Sequence, residues 1–203
     1  SLTREEGEWL LKGETTIPEA KQAVLSVTDS LLGQSGYENQ FTLLPEPALG
    51  DSNRALVAVS VANLRRNPGH SSEMVDQTIL GETVRLLKRQ RSWYLVQTYY
   101  GYIGWVQRGS LIRMDDAGIQ KWETGGLVRF TDLFGFIYSE PDPSSVPVSD
   151  LVLNVRMHVT ERGRKWTKVQ LPRGDEGYVR NEQIEVEREY EMPADTRIAN
   201  IIE

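Results

Sequence analysis

GETVRLLKRQRSWYLVQTYYGYIGWV, residues 81–106, decides how this chain is read, because residues 154–179, NVRMHVTERGRKWTKVQLPRGDEGYV, restate it without a gap. The displacement is 166 − 93 = 73 positions. In that register Trp93 falls on Trp166, Val96 on Val169, Gln97 on Gln170, Gly101 on Gly174, Gly104 on Gly177 and Val106 on Val179. Upstream, Pro68, Ser71, Ser72 and Val75 fall on Pro141, Ser144, Ser145 and Val148. Self-similarity at one fixed displacement is the signature of a duplicated structural unit. Within each copy, short runs rich in β-branched and aromatic residues (TVRLL, WYLVQT, YIGWV) recur at the close, even spacing of a small barrel or sandwich.

Outward from the repeat, the expected organisation is an N-terminal helical segment and linker over residues 1–50. A first β module follows over 51–116, a second over 117–188, and the start of a further helix over 189–203. In the N-terminal segment, Pro18 suits a first helical turn, and Ala20, Ala23, Val24, Val27, Leu31 and Leu32 follow at helical spacing. Gly33 is placed to end that helix. A shorter helix is expected over Arg4 to Lys12, with Trp9, Leu10 and Leu11 on one side. The stretch LLPEPALGDSN reads as a linker, and DDAGIQKWETGG joins the modules. Three prolines in the second copy (Pro141, Pro143 and Pro147) exclude a central strand there and predict a stiff loop. Asp195 or Thr196 would start the last helix.

Composition narrows the function. The chain has 203 residues, a formal net charge of −6 and no cysteine. The charge argues against nucleic acid as the main partner, since phosphate binding wants a basic surface. The densest cations, Lys88 to Arg91, read as a solvated turn. Without cysteine there is no disulfide, thiolate metal site or cysteine nucleophile in this chain. No stretch approaches the roughly 20 apolar residues of a membrane span. The chain opens on Ser1 rather than Met, which implies trimming, and a removed signal or anchor segment is expected.

His158 sits in a strand beside Met157 and Val159, where a histidine is structural or solvated. His70 lies next to Ser71 and Ser72, but neighbours in sequence do not make a nucleophile and base without a third orienting group. Two distant histidines make a poor zinc site. Asp115-Asp116 and Asp175-Glu176 fall in turns. No metal, cofactor or catalytic residue is therefore expected. Binding is better supported. Trp93 recurs as Trp166 and reads as core. Tyr99, Tyr100 and Tyr102, in contrast, face Pro172, Arg173 and Asp175 in the other copy. A requirement of the core should recur, so these tyrosines, with Trp105 beside them, are candidates for a ligand or domain interface.

The order strand, long loop, Leu80-Gly81-Glu82-x-Val84, Trp93-Tyr94-x-Val96 and Gly101-Tyr102-x-Gly104-Trp105-Val106 resembles the bacterial SH3-like (SH3b) domain, as does Val61-Ala62-Asn63-Leu64-Arg65 with Pro68. In the second copy Trp166, Val169 and Gly177-Tyr178-Val179 carry the match. Asn154 stands in place of Gly81, and Ile137-Tyr138 in place of Leu64-Arg65. Two such modules after a helical N-terminus resemble the front of NlpC-type cell-wall cysteine endopeptidases, specifically the group cutting γ-D-glutamyl bonds to a diamino acid. The resemblance implies two tandem SH3-like barrels, in a mainly β chain preceded by a short helical segment. It implies a non-catalytic region that gates peptidoglycan stem peptides for a C-terminal catalytic domain, at the bacterial cell envelope or in the periplasm. It also implies that the first module meets the substrate's free amine. An ammonium wants a carboxylate or an aromatic face, so Glu73 and Asp76 join the candidates. The alternatives are a free-standing module that binds the cell wall and, from the barrel alone, a protein–protein adaptor.

Overall fold

In the computed structural model, residues 1–34 and 36–187 are described. The chain divides into two compact units, Ser1–Gln120 and a second from Lys121 onward.

The first unit opens on a small three-stranded sheet, ordered β1-β2-β3. Strands β1 (Leu2–Glu5) and β2 (Glu8–Thr15) form a hairpin, and β3 (Glu38–Leu43) runs parallel to β2. Parallel neighbours need a crossover, which α1 (Pro18–Leu32) supplies. Helix α1 therefore covers the span expected of it, ending where Gly33, at φ 75, donates its N–H to the Asp29 carbonyl. The helix expected over Arg4 to Lys12 is instead the hairpin, and residues 38–43 are strand. Glu6 and Gly7 both take positive φ, 50 and 93, the backbone of a two-residue turn whose twist matches its flanking strands. Leu10 and Leu11 are both buried, as consecutive strand residues are when both faces of a sheet are covered.

The rest of the unit is an antiparallel barrel-like sheet of seven strands, ordered β10-β4-β7-β8-β9-β5-β6. Its strands are β4 (Arg54–Val57), β5 (Val61–Arg65), β6 (Met74–Ile79), β7 (Thr83–Gln90), β8 (Trp93–Gln97), β9 (Ile103–Gln107) and β10 (Leu111–Met114). Alternate residues turn inward, so Leu64, Val84, Leu86, Tyr94, Val96 and Val106 make one core with Ala55 and Val57. Each fully buried aliphatic side chain there is worth about 1.5–3 kcal/mol over an exposed one. Gly104 is required by that core, since a Cβ at this position would stand 2.9 Å from the Leu64 Cβ.

The linker expected between the modules contains a helix, α2 (Asp116–Glu123), whose start is held by the Gly118 N–H donating to Asp115 Oδ1 at 2.8 Å. Such a side-chain acceptor satisfies a donor that helix geometry leaves over.

The second unit repeats the first barrel strand for strand. Its seven-stranded sheet is ordered β13-β12-β16-β15-β14-β11-β17. The strands are β11 (Leu127–Phe130), β12 (Phe134–Tyr138), β13 (Pro147–Val152), β14 (Arg156–Arg162), β15 (Trp166–Gln170), β16 (Glu176–Arg180) and β17 (Ile184–Val186). Each begins 73 residues after its counterpart, and the bulge in β7 between Leu86 and Lys88 recurs in β14 between Val159 and Glu161. Asn154 takes φ 70 where Gly81 takes 83, so the turn survives the exchange. Asparagine tolerates this left-handed conformation better than other residues carrying a side chain. The fold is thus mainly β, with two SH3-like barrels and one long helix near the N-terminus. The helix expected from Asp195 lies outside the described residues.

Candidate functional site

The β8–β9 connection of the first barrel is built by its own backbone. The Thr98 N–H donates to the Tyr102 carbonyl at 2.9 Å, the Gly101 N–H to the Thr98 carbonyl at 3.0 Å, and the Tyr102 N–H to Thr98 Oγ1 at 3.0 Å. Gly101 at φ 91 closes the turn. The second barrel keeps the same two backbone bonds, Leu171 to Asp175 and Gly174 to Leu171, with Gly174 at φ 93, but has no tyrosine in that loop. The turn therefore does not need the tyrosines, and it holds them outward. Tyr99 is 78% exposed, Tyr100 50% and Tyr102 42%.

Two sequence candidates meet here. Tyr100 Oη lies 2.7 Å from Asp76 Oδ2, to which it donates, and 3.3 Å from the Gln77 carbonyl. Asp76 sits in β6 opposite Leu64 and is partly buried. Its second oxygen, Oδ1, accepts the Gln77 N–H at 2.8 Å. Partial burial, which penalises the phenolate, and then the hydrogen bond to the Asp76 carboxylate, which holds the phenol's proton, push the Tyr100 phenol up to about 12. The Tyr99 ring stands edge-on to Tyr100 with centroids 4.8 Å apart.

The other candidates are placed elsewhere. Glu73 belongs to the β5–β6 loop, where it pairs with Arg66 at 2.9 Å. Both partners are well exposed, so the pair adds little stability. The loop itself is stapled by Arg65 Nη1 on the Ser72 carbonyl at 2.6 Å and by the Asn67 N–H on Ser72 Oγ at 2.9 Å. Trp105 is only 7% exposed. It follows Gly104, which faces Leu64 inside, so it points to the outer face of the sheet, under the Lys88 ammonium at 5.7 Å. Trp105 is thus a covered packing residue, set apart from the tyrosine turn.

The histidines hold structural positions. His158 stacks on Trp122 at 4.3 Å and its Nε2 lies 2.5 Å from the Trp122 carbonyl oxygen. His70 stands edge-on to Trp93 at 5.1 Å. Among the described residues, no group of three His, Cys, Asp or Glu side chains is placed to hold a metal. No helix there is long and apolar enough to cross a membrane.

Asp76 offers a carboxylate whose position is fixed by two hydrogen bonds, and Tyr99 and Tyr100 offer aromatic faces beside it. Together they suit a cationic group, through charge-assisted hydrogen bonding and ring attraction. Sequence reasoning named both Tyr100 and Asp76 without linking them. It treated Trp93 and Trp166 alike, yet Trp93 is buried and Trp166 half-buried. The cations that flank Trp166 and not Trp93, Lys165 and Arg180, were the available signal.

Residues 60–112 match the family model of the bacterial SH3 domain. Over 136 residues the chain is 31% identical to dipeptidyl-peptidase 6 of Lysinibacillus sphaericus, a match covering 64% of this chain and 49% of that protein. The chain thus spans about half the length of that curated relative. Among solved structures it resembles an NlpC/P60 family protein from Bacillus cereus, with a TM-score of 0.55 and 19% identity over 66% of this chain and 56% of the other. At that identity the likeness is one of fold.

Proposed function

We propose that this chain is a non-catalytic recognition region of a cell-wall peptidase of the NlpC type, working at the bacterial cell envelope. The first barrel admits peptidoglycan stem peptides that carry a free N-terminal amine. Asp76 takes the ammonium, Tyr100 fixes the carboxylate by its hydrogen bond, and Tyr99 and Tyr102 flank the entry. A catalytic domain supplies the cysteine chemistry, and this region restricts what reaches it. The reading is supported by the similarity to a peptidase over 64% of the chain. It is also supported by the match of the first barrel to the bacterial SH3 domain. The single observation that carries it is the Tyr100–Asp76 bond, because it joins an exposed aromatic turn to an anchored carboxylate in the one barrel that has the tyrosines.

Titration of the chain with stem tripeptides, free or N-acetylated, is the test. Binding of the free-amine peptide alone, weakened at least tenfold by Asp76→Asn, is the expected result. Equal binding of the acetylated peptide would refute amine recognition. Strong co-sedimentation with purified sacculi, indifferent to Asp76, would instead support a module that only anchors to the wall.

A further inference from the structure

We infer that the second barrel carries a separate site for a short acidic peptide, seated on Trp166 with its carboxylates taken by Arg164 and Lys165. The inference stands on a different barrel from the amine-recognition face, and either can fail without the other.

The argument begins with a position that the duplication makes comparable. In the first barrel His70 closes edge-on over Trp93, which is buried. In the second barrel Pro143 occupies the position of His70, and the tryptophan is left half-buried. A cavity of about 590 Å³ opens between the Pro141–Pro143 loop, Trp166 and the Arg164–Lys165 turn. A second space of about 220 Å³, sharing Trp166, runs on to Tyr178 and Lys168. The larger falls within the roughly 300–1,000 Å³ usual for ligand sites.

Charge has changed with shape. At the four matched positions around the ring, the first barrel has Arg91, Ser92, Leu95 and Gln107, and the second has Arg164, Lys165, Lys168 and Arg180. Two of the new cations are engaged: Lys168 pairs with Glu176 at 2.6 Å and Arg180 with Glu182 at 3.2 Å. Arg180 also lies over the Trp166 ring at 5.3 Å and helps fix it. Arg164 and Lys165 are exposed and have no ionic partner among the described residues. The acid on the rim, Asp142, is turned to its own loop. Its Oδ1 accepts the Ser144 N–H at 2.9 Å, which holds the carboxyl below its usual value.

The chemistry of the occupant follows. Two prolines and an indole face make an apolar floor, and two uncommitted cations at its edge ask for carboxylates. Interleaved acids (Asp142, Glu161 and Glu182) and a net charge of −6 oppose a long polyanion such as a nucleic acid. A short peptide with one or two carboxylates and an apolar side chain satisfies both conditions.

The probe is acetyl-Glu-Pro-Glu-Phe-amide, with its Gln-for-Glu counterpart and a single-stranded oligonucleotide as controls. The chain has five tryptophans, and their indole N–H signals can be followed by ¹⁵N NMR, Trp166 being assigned by its loss in Trp166→Phe. The expected result is a shift of the Trp166 signal with the acidic peptide and not with the neutral one. Arg164→Ala with Lys165→Ala should weaken binding at least tenfold, with the remaining spectrum unchanged because both residues are exposed. Pro143→His should also cut binding by rebuilding the lid of the first barrel. An unmoved Trp166 signal at millimolar acidic peptide, binding that ignores the double substitution, or preference for the oligonucleotide would each overturn the proposal.

Discussion

The two barrels share every strand and differ in how they fill and charge the same frame, so each serves as a control for the other. In the core, Val57 and Ala62 of the first barrel become Phe130 and Gly135 of the second. The exchange is coupled, because a Cβ at Gly135 would lie 2.5 Å from Phe130 Cζ. Bulk added at one position is removed at its neighbour, and the close packing of a protein interior leaves little other choice. Elsewhere in the sheet, Leu56, Thr83 and Met114 correspond to Arg129, Arg156 and Glu187. There the second barrel builds an ion network: Glu187 accepts from Arg129 at 2.7 Å and from Arg156 at 2.8 Å, and Arg156 also pairs with Glu123. Topology is thus carried by the alternation of inward residues and by the turns, and surfaces can be rewritten on top of it.

The core exchange offers the largest effect. Phe130→Ala should destabilise the second barrel by about 3–5 kcal/mol through lost burial and a cavity, and Gly135→Ala by about 1–3 kcal/mol through overpacking. Phe130→Val with Gly135→Ala restores the first barrel's pairing and should cost less than the sum of its single changes. Urea denaturation measures all of these, and strict additivity would break the idea of coupled packing.

Next in size is the ion network. Removing Arg156 takes away the cation that Glu123 and Glu187 share and leaves Glu187 to Arg129, and Arg156→Met should cost about 3 kcal/mol. Burial raises the Glu187 carboxyl, but its bonds to Arg156 and Arg129 outweigh that and bring it below 4.5. A carboxyl lowered in the folded state stabilises fully above its unfolded value and loses that contribution as pH falls through the folded one. Stability should therefore drop as the solution is acidified below about 4.5, and the drop should shrink in Glu187→Gln.

A spectroscopic test sharpens the contrast between the two β-turn loops. With Tyr100 ionising near 12, the ultraviolet titration of the chain minus that of Tyr100→Phe should isolate one late phenol. Asp76→Asn should bring it down but leave it above 10, because partial burial persists. An unaltered midpoint would separate Tyr100 from Asp76 in solution. The smallest effect is expected at the matched turn. Asn154→Ala should cost about 1 kcal/mol at its positive φ, and Asn154→Gly should be close to neutral by thermal unfolding.

The barrels were readable because duplication writes the same constraints twice: Trp93 with Trp166, Gly104 with Gly177, and the turn glycines in one register. The N-terminal hairpin escaped because Trp9-Leu10-Leu11 satisfies a helical side as well as a strand covered on both faces. The turn that decides the matter, Glu6-Gly7, lacks the Asn-Gly or Asp-Gly pair that announces such hairpins. At the site, exposure of the tyrosines followed from their absence in the second copy. The bond to Asp76 did not, since it spans 24 residues and depends on where β6 lies. Trp105 misled because proximity in sequence to three exposed tyrosines says nothing of the face on which a strand residue emerges.

The turn shared by Thr98 to Tyr102 and Leu171 to Asp175 has a wider consequence. Its shape is maintained by main-chain bonds and one glycine, so its remaining positions behave as an interchangeable display. New specificities could be installed there by replacing three residues, in either barrel, with the scaffold beneath left undisturbed.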